Sequence, residues 1–187
     1  MQNILATIGI ETDREQAEGL YTQYIKKELA LTATGSVDQA TDAFTLKLNN
    51  EIKKPELEQR FPLYIAEVAS DKYYIIPLRG AGLWDAIWGY IALKNDKNTI
   101  KGAIFDHIGE TAGLGAEITQ QWFQDRFKEE KVFDNSGQLV GINVSKTNND
   151  PNDSDKNDHE VDAISGATIT GDGVTAMIYE RLQHYLP

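Results

Sequence analysis

The chain has 187 residues, 29 of them acidic and 18 basic, a formal net charge of −11 and no cysteine. A chain of this length buries about 70% of its unfolded surface and folds without staples; lacking cysteine, it has no disulfide, no thiolate nucleophile and no Cys-ligated zinc or iron–sulfur cluster. No Lys/Arg-rich run interrupts the acidic excess, which disfavours nucleic acid and anionic membrane as partners, and no run of about 18 apolar residues is present to span a bilayer.

The opening MQNILATIGI has no basic region and no small-residue cleavage site, so it reads as an apolar helical lead-in rather than a signal peptide. Thr12-Asp13-Arg14-Glu15 has the pattern of a capping box. Ala17, Leu20, Tyr21, Tyr24 and Leu29 then recur at helical spacing and predict a helix over 13–30, ended by TATGS at 32–36. Strand-like runs follow at 44–48, 63–68 and 73–78, with a turn at Ser70-Asp71. Pro77 predicts an edge strand or a strand end. Runs at 87–93 and 100–105 flank the turn Asn95-Asp96-Lys97-Asn98 and form a hairpin. Residues 115–130 predict a helix with Ile118, Trp122, Phe123 and Phe127 on one side. A strand over 140–144 leads to a polar, acidic loop over 147–160. The last helix is expected over 171–185, with Val174, Met177, Ile178, Leu182 and Tyr185 facing inward. The sum is α+β: a mainly antiparallel sheet with packed helices at both ends.

The acidic loop does not fit a calcium-binding EF-hand, because Asp158 stands where glycine is required and Ile164 where the bidentate glutamate belongs. His107 and Glu110 are three residues apart but have no third ligand beside them, so no metal site is expected. There is no nucleophile elbow, phosphate-binding loop or dinucleotide fingerprint, and no catalytic residue is expected. Two features remain. Arg79-Gly-Ala-Gly-Leu-Trp84 and His107-Ile-Gly-Glu-Thr-Ala-Gly-Leu-Gly115 are glycine-rich loops at strand ends, each with a large apolar residue. Such loops let backbone approach a flat ligand, and equally serve as tight turns with core anchors. Thr168 and Thr170 precede the last helix; either caps it, or the helix start holds a phosphate.

Asp162-Ala-Ile-Ser165-Gly166-Ala167-Thr168 resembles the flavinylation motif Asp-x-x-Ser/Thr-Gly-Ala-Thr of bacterial FMN-binding domains. That resemblance implies a phosphoester between Thr168 and FMN, made by a dedicated flavin transferase, with Asp162 taking part in motif recognition. Gly80-Ala-Gly-Leu-Trp84, Ile87-Trp-Gly-Tyr-Ile-Ala-Leu93, Asn98-Thr-Ile-Lys-Gly102 and the loop 107–115 are similar to the C subunits of Na⁺-translocating NADH:quinone reductases, with Ala112 where that family usually has proline. The G subunit of the Rnf complex carries the same motif and is the alternative, as is a non-redox module in which the motif only caps a helix.

The resemblance implies an electron-transfer subunit of a larger NADH:quinone reductase, inactive alone, with the NADH and quinone sites on other subunits. It implies Ser165, Gly166, Ala167, Thr170 and Lys146 around the phosphate, and Leu83, Trp84, Glu110, Thr111, Leu114 and Gly115 beside the ring. It also implies that residues 1–10 are a stub following a single transmembrane helix of the inner membrane. Residues 11–187 would then be an FMN-binding domain on the periplasmic face.

Overall fold

The computed structural model describes residues 1–185; Leu186 and Pro187, the end of the expected 11–187 domain, lie outside the described residues. Its frame is one antiparallel sheet whose strands pair in chain order: β1 (Ile25–Thr32), β2 (Arg60–Val68), β3 (Asp71–Ala81), β4 (Ala86–Leu93) and β5 (Ile100–His107). The α+β class with a mainly antiparallel sheet is met. The last four strands are the β-branched and aromatic runs of the sequence, joined by turns short enough for antiparallel neighbours.

Pro77 departs from expectation, because β3 is the central strand. The β2–β3 ladder runs from Val68↔Asp71 only to Tyr64↔Ile75, while β3 stays paired with β4 through Pro77↔Tyr90 to Ala81↔Ala86. A Gly82 N–H to Asp85 carbonyl bond of 2.8 Å continues that register past Ala81. Counting back from it, odd-numbered residues of β3 turn their backbone nitrogens away from β4. The Pro77 nitrogen therefore faces the side that β2 has already left, and its missing N–H breaks no ladder bond.

α5 (Thr168–Gln183) crosses one face of the sheet and sets Val174, Met177, Ile178 and Leu182 into a core with Ile76, Leu78, Ile87 and Phe105. The approach is close: a Cβ on Gly80 would stand 2.8 Å from Met177 Cβ. On the other face α1 (Gln2–Thr7) and α2 (Ala17–Tyr24) pack Ile4, Leu5 and Tyr21 near Ile75, Ala66 and Ala92. Each large side chain buried this way stabilises the fold by about 1.5–3 kcal/mol.

Four local expectations are corrected. The helix over 13–30 is only α2; from Ile25 the chain enters β1 and pairs with β2, so sheet pairing overrides the helical spacing of Leu29. The capping box at Thr12 is not met: α2 starts after Gln16 with no side-chain cap bond, and Asp13 accepts from the Gln16 amide at 2.9 Å in the turn ahead of it. The strand over 44–48 is instead a 3-10 turn (Ala43–Thr45) followed by α3 (Leu48–Glu51); Asp42 starts the turn by accepting from the Phe44 amide at 2.9 Å. The helix over 115–130 is broken into a 3-10 turn (Gly115–Thr119), α4 (Gln121–Gln124) and a 3-10 turn (Asp125–Phe127), because Gln120 is extended. Its Ile118, Phe123 and Phe127 are fully buried, but Trp122 is 46% exposed.

The strand over 140–144 contracts to β6 (Asn143–Val144), which pairs in parallel with β7 (Glu160–Val161) and closes the acidic loop at its base. Lys156 pins the loop's middle: its ammonium donates to the Arg126 carbonyl at 3.0 Å, pairs with Asp153, and lies 3.4 Å from Glu130. Glu130 is 0% exposed. Burial pushes its carboxyl up to about 8, against the pull of Lys156. A folded value above the unfolded one means stability is present below the unfolded pKa and lost as pH rises through the folded pKa. The expected result is a stability that falls between about pH 4.3 and about pH 8. Glu130→Gln should flatten that decline in urea melts taken at several pH values. An unchanged slope would show that Glu130 does not carry it.

Candidate functional site

Three segments converge at one end of the sheet. The turn after β3 (Gly82–Asp85), the loop after β5 (Ile108–Leu114) and the first turn of α5 meet around the carboxylate of Glu110, which is 7% exposed. One oxygen accepts from the Trp84 amide at 2.9 Å and the other from the Thr170 hydroxyl at 2.6 Å. Burial alone would raise the Glu110 pKa, but the bonds from Thr170 and from the amides of Trp84, Asp85 and Leu83 outweigh it and hold the carboxyl below its usual range. Glu110 is therefore ionised at neutral pH.

This carboxylate explains two glycines. A Cβ at Gly82 would run into Glu110 Oε1, and one at Gly115 into Glu110 Oε2 and Thr170 Oγ1. Gly166 has φ +73°, and a Cβ there would stand 2.8 Å from Leu114; glycine meets both the backbone and the space requirement.

A cavity of about 240 Å³ opens above this node, lined by Leu83, Glu110, Thr111, Leu114, Gly115 and residues 166–170. Helix α5 begins at Thr168, three residues earlier than the sequence pattern suggests. The Gly171 amide makes the bond to Ala167 O at 2.9 Å, so the amides of Thr168, Ile169 and Thr170 lie in the first turn, ahead of the intrahelical ladder. Thr168 is exposed at the cavity, and no side-chain cap bond closes the helix start. The arrangement offers a free hydroxyl beside peptide N–H donors, with apolar Leu83, Leu114 and Ile169 around it.

The cavity thus gathers Leu83, Glu110, Thr111, Leu114, Gly115, Gly166, Ala167, Thr168 and Thr170. Thr170 directs its hydroxyl proton to Glu110 rather than toward the opening. Four other expected residues stand apart from the lining. The Trp84 side chain is 68% exposed, although its amide braces Glu110. Ser165 and Lys146 are exposed. Asp162 is 7% exposed and turns inward, accepting from the Asp150 amide at 3.3 Å. Ile169 lines the cavity and is absent from the expected set; an exposed apolar residue off the inward face of α5 is the signal that marks it.

A model of the FMN-binding domain family matches residues 82–183, which covers the end of the first glycine-rich loop, the whole of the second and all of α5. Those segments make up the cavity, so its class is that of a flavin-binding domain. The C subunit of the Na(+)-translocating NADH-quinone reductase of Vibrio parahaemolyticus is 32% identical, over 91% of this chain and 72% of that protein. Its counterpart in Haemophilus ducreyi is 29% identical over 92% of this chain and 71% of its own length. The crystal structure of the C subunit from Parabacteroides distasonis superposes with a TM-score of 0.87 at 38% identity, covering 98% of this chain and 87% of that one. The chain belongs to the family of C subunits of the Na(+)-translocating NADH-quinone reductase.

Proposed function

We propose that this chain is an electron-transfer subunit that carries FMN through a phosphoester to Thr168. The observation that carries the reading is the free Thr168 hydroxyl, set at the cavity beside the unladdered amides of α5. The residues present fit the group. The first-turn amides and helix dipole favour a phosphate by about 0.3–1 kcal/mol or more when partly buried. Leu83, Leu114 and Ile169 offer apolar surface to a ring, and Gly166 and Ala167 leave room beside the hydroxyl. Ser165 and Lys146 are assigned to the phosphate side, and the exposed Trp84 to the rim of the ring.

When bound, the flavin supplies the redox chemistry; the chain supplies position and electrostatics. Attachment is a phosphoryl transfer from FAD on a flavin transferase. The Thr168 oxygen forms a bond to the flavin-side phosphorus, the P–O–P bond breaks, AMP leaves, and the hydroxyl proton passes to the transferase. Glu110 holds the two loops and the helix start in register, and no side chain of this chain needs to act as a base in turnover.

The names of the relatives favour the quinone reductase over the Rnf complex. The partners are then the other subunits of a membrane NADH:quinone reductase. Residues 1–10 form the membrane-proximal part, and the flavin domain stands on the periplasmic face. No helix among the described residues is long and apolar enough to cross a membrane. Incubation with flavin transferase and FAD, followed by intact-mass analysis, is expected to add one FMN. A mass that stays unchanged would overturn the acceptor reading and leave the chain as a non-redox module.

A further inference from the structure

Resting on the acceptor reading above, we propose that Arg126 is a positioning residue for flavin attachment: it holds the backbone leading to Thr168 in the shape a transferase must meet. The Arg126 guanidinium donates through Nη1 to the carbonyls of Asp162 at 2.7 Å and Ala163 at 3.2 Å. Its plane is fixed from behind by Trp122, with 4.9 Å from the guanidinium carbon to the ring centre. The turn that carries it is anchored by Phe127, which is fully buried. Among the described residues Arg126 makes no carboxylate ion pair. Its charge is directed to two peptide carbonyls, the stronger class of hydrogen bond.

The opposite side of the same segment is held as well. The Ser145 amide donates to Val161 O at 2.8 Å, and the Ala163 amide to Thr147 O at 3.1 Å. Residues 161–163 are thus clamped between the β6 side and Arg126. From Ala163 the chain drops the buried Ile164 into the core and closes a turn through the Ala167 amide to Ile164 O at 3.0 Å. It then passes Gly166 in the left-handed region and reaches Thr168. Little slack remains in this path, so a shift of the 162–163 carbonyls displaces the acceptor hydroxyl.

The same geometry gives the motif's aspartate a different part from a direct handle. The Asp162 side chain is buried against Asp150, and its carbonyl is bound to Arg126. It shapes the segment and presents little of itself to an incoming enzyme.

The test compares the wild-type chain with Arg126→Ala, Arg126→Gln and Arg126→Lys, each incubated with flavin transferase and FAD below its melting temperature. Adduct formation is followed by intact mass over a range of chain concentrations. Arg126→Ala is expected to lower kcat/KM for FMN transfer by about 10- to 100-fold, chiefly through kcat, as a misplaced nucleophile does. Arg126→Lys, which keeps one donor, should recover part of the rate. Hydrogen exchange at the Ala167 amide should quicken in Arg126→Ala while β3 and β4 stay protected. A folded Arg126→Ala modified at the wild-type rate overturns the proposal and leaves Thr168 as acceptor. Wild-type chain that gains no FMN overturns the acceptor reading and this proposal with it. Should Arg126→Ala fail to fold, Arg126→Gln is read the same way, and a wild-type rate there is equally fatal.

Discussion

Replacing Thr168 by alanine is expected to abolish flavin attachment and leave the fold in place. The substitution removes a hydroxyl and a methyl group from an exposed side chain that makes no cap bond to α5. Alanine is also the better helix former, by up to about 0.7 kcal/mol, so the melting temperature should hold or rise slightly. After incubation with transferase and FAD, intact mass should show no FMN increment, and a denaturing gel should show no fluorescent band. Thr168→Ser keeps an oxygen at the same place and should still be modified. An adduct that persists in Thr168→Ala would move the tether to another hydroxyl, such as Thr111 in the same cavity or the exposed Ser165.

Glu110→Ala should lower stability by roughly 3 kcal/mol, the largest such loss expected from one substitution at this end of the sheet. The carboxylate is the acceptor for the Trp84 amide and for the hydroxyl of Thr170, which is 1% exposed, and both donors lose it together. A buried donor left without an acceptor costs about 1–3 kcal/mol. Glu110→Gln does not repair the loss, because its amide nitrogen brings two more donors toward groups that already donate. The effect depends on pH in a fixed sense. With the folded pKa below the unfolded one, the stability Glu110 carries is present above about pH 4.3 and is lost as pH falls through the lower folded value. Urea melts of wild type and Glu110→Ala at pH 7 and pH 3 should therefore converge toward acid. Equal stability at pH 7, or parallel loss in both, would remove Glu110 from the role assigned to it.

Much of the frame was legible because its physics is local. The runs at 63–68, 73–78, 87–93 and 100–105 are β-branched and aromatic with turn residues between them, and each became a strand. β1 was not legible: its Leu29 fits the spacing of the preceding helix, and only pairing with β2 makes it extended. Residues 115–130 bury Ile118, Phe123 and Phe127 at helical spacing, yet Gln120 is extended and interrupts the helix. Just past that break the Gln124 side chain donates to the carbonyls of Phe105 and Ile118, both at 3.2 Å.

The site divides the same way. The Ser-Gly-Ala-Thr run is contiguous, so its resemblance to the flavinylation motif could be read directly. Glu110 entered only as one of several ring neighbours, because its partners lie 26 and 60 residues away in sequence. Arg126 carried no local pattern, since the carbonyls it holds are 36 and 37 residues downstream. What pattern alone could not supply was the meeting of three distant loops, which is a property of sheet order.

Because one ionised carboxylate joins a strand turn, a loop and a helix start, the walls of the cavity move as a unit. A carrier seated there would meet surroundings that barely relax when an electron arrives or leaves. Such stiffness keeps the reorganisation energy low, and hopping between centres is faster for it.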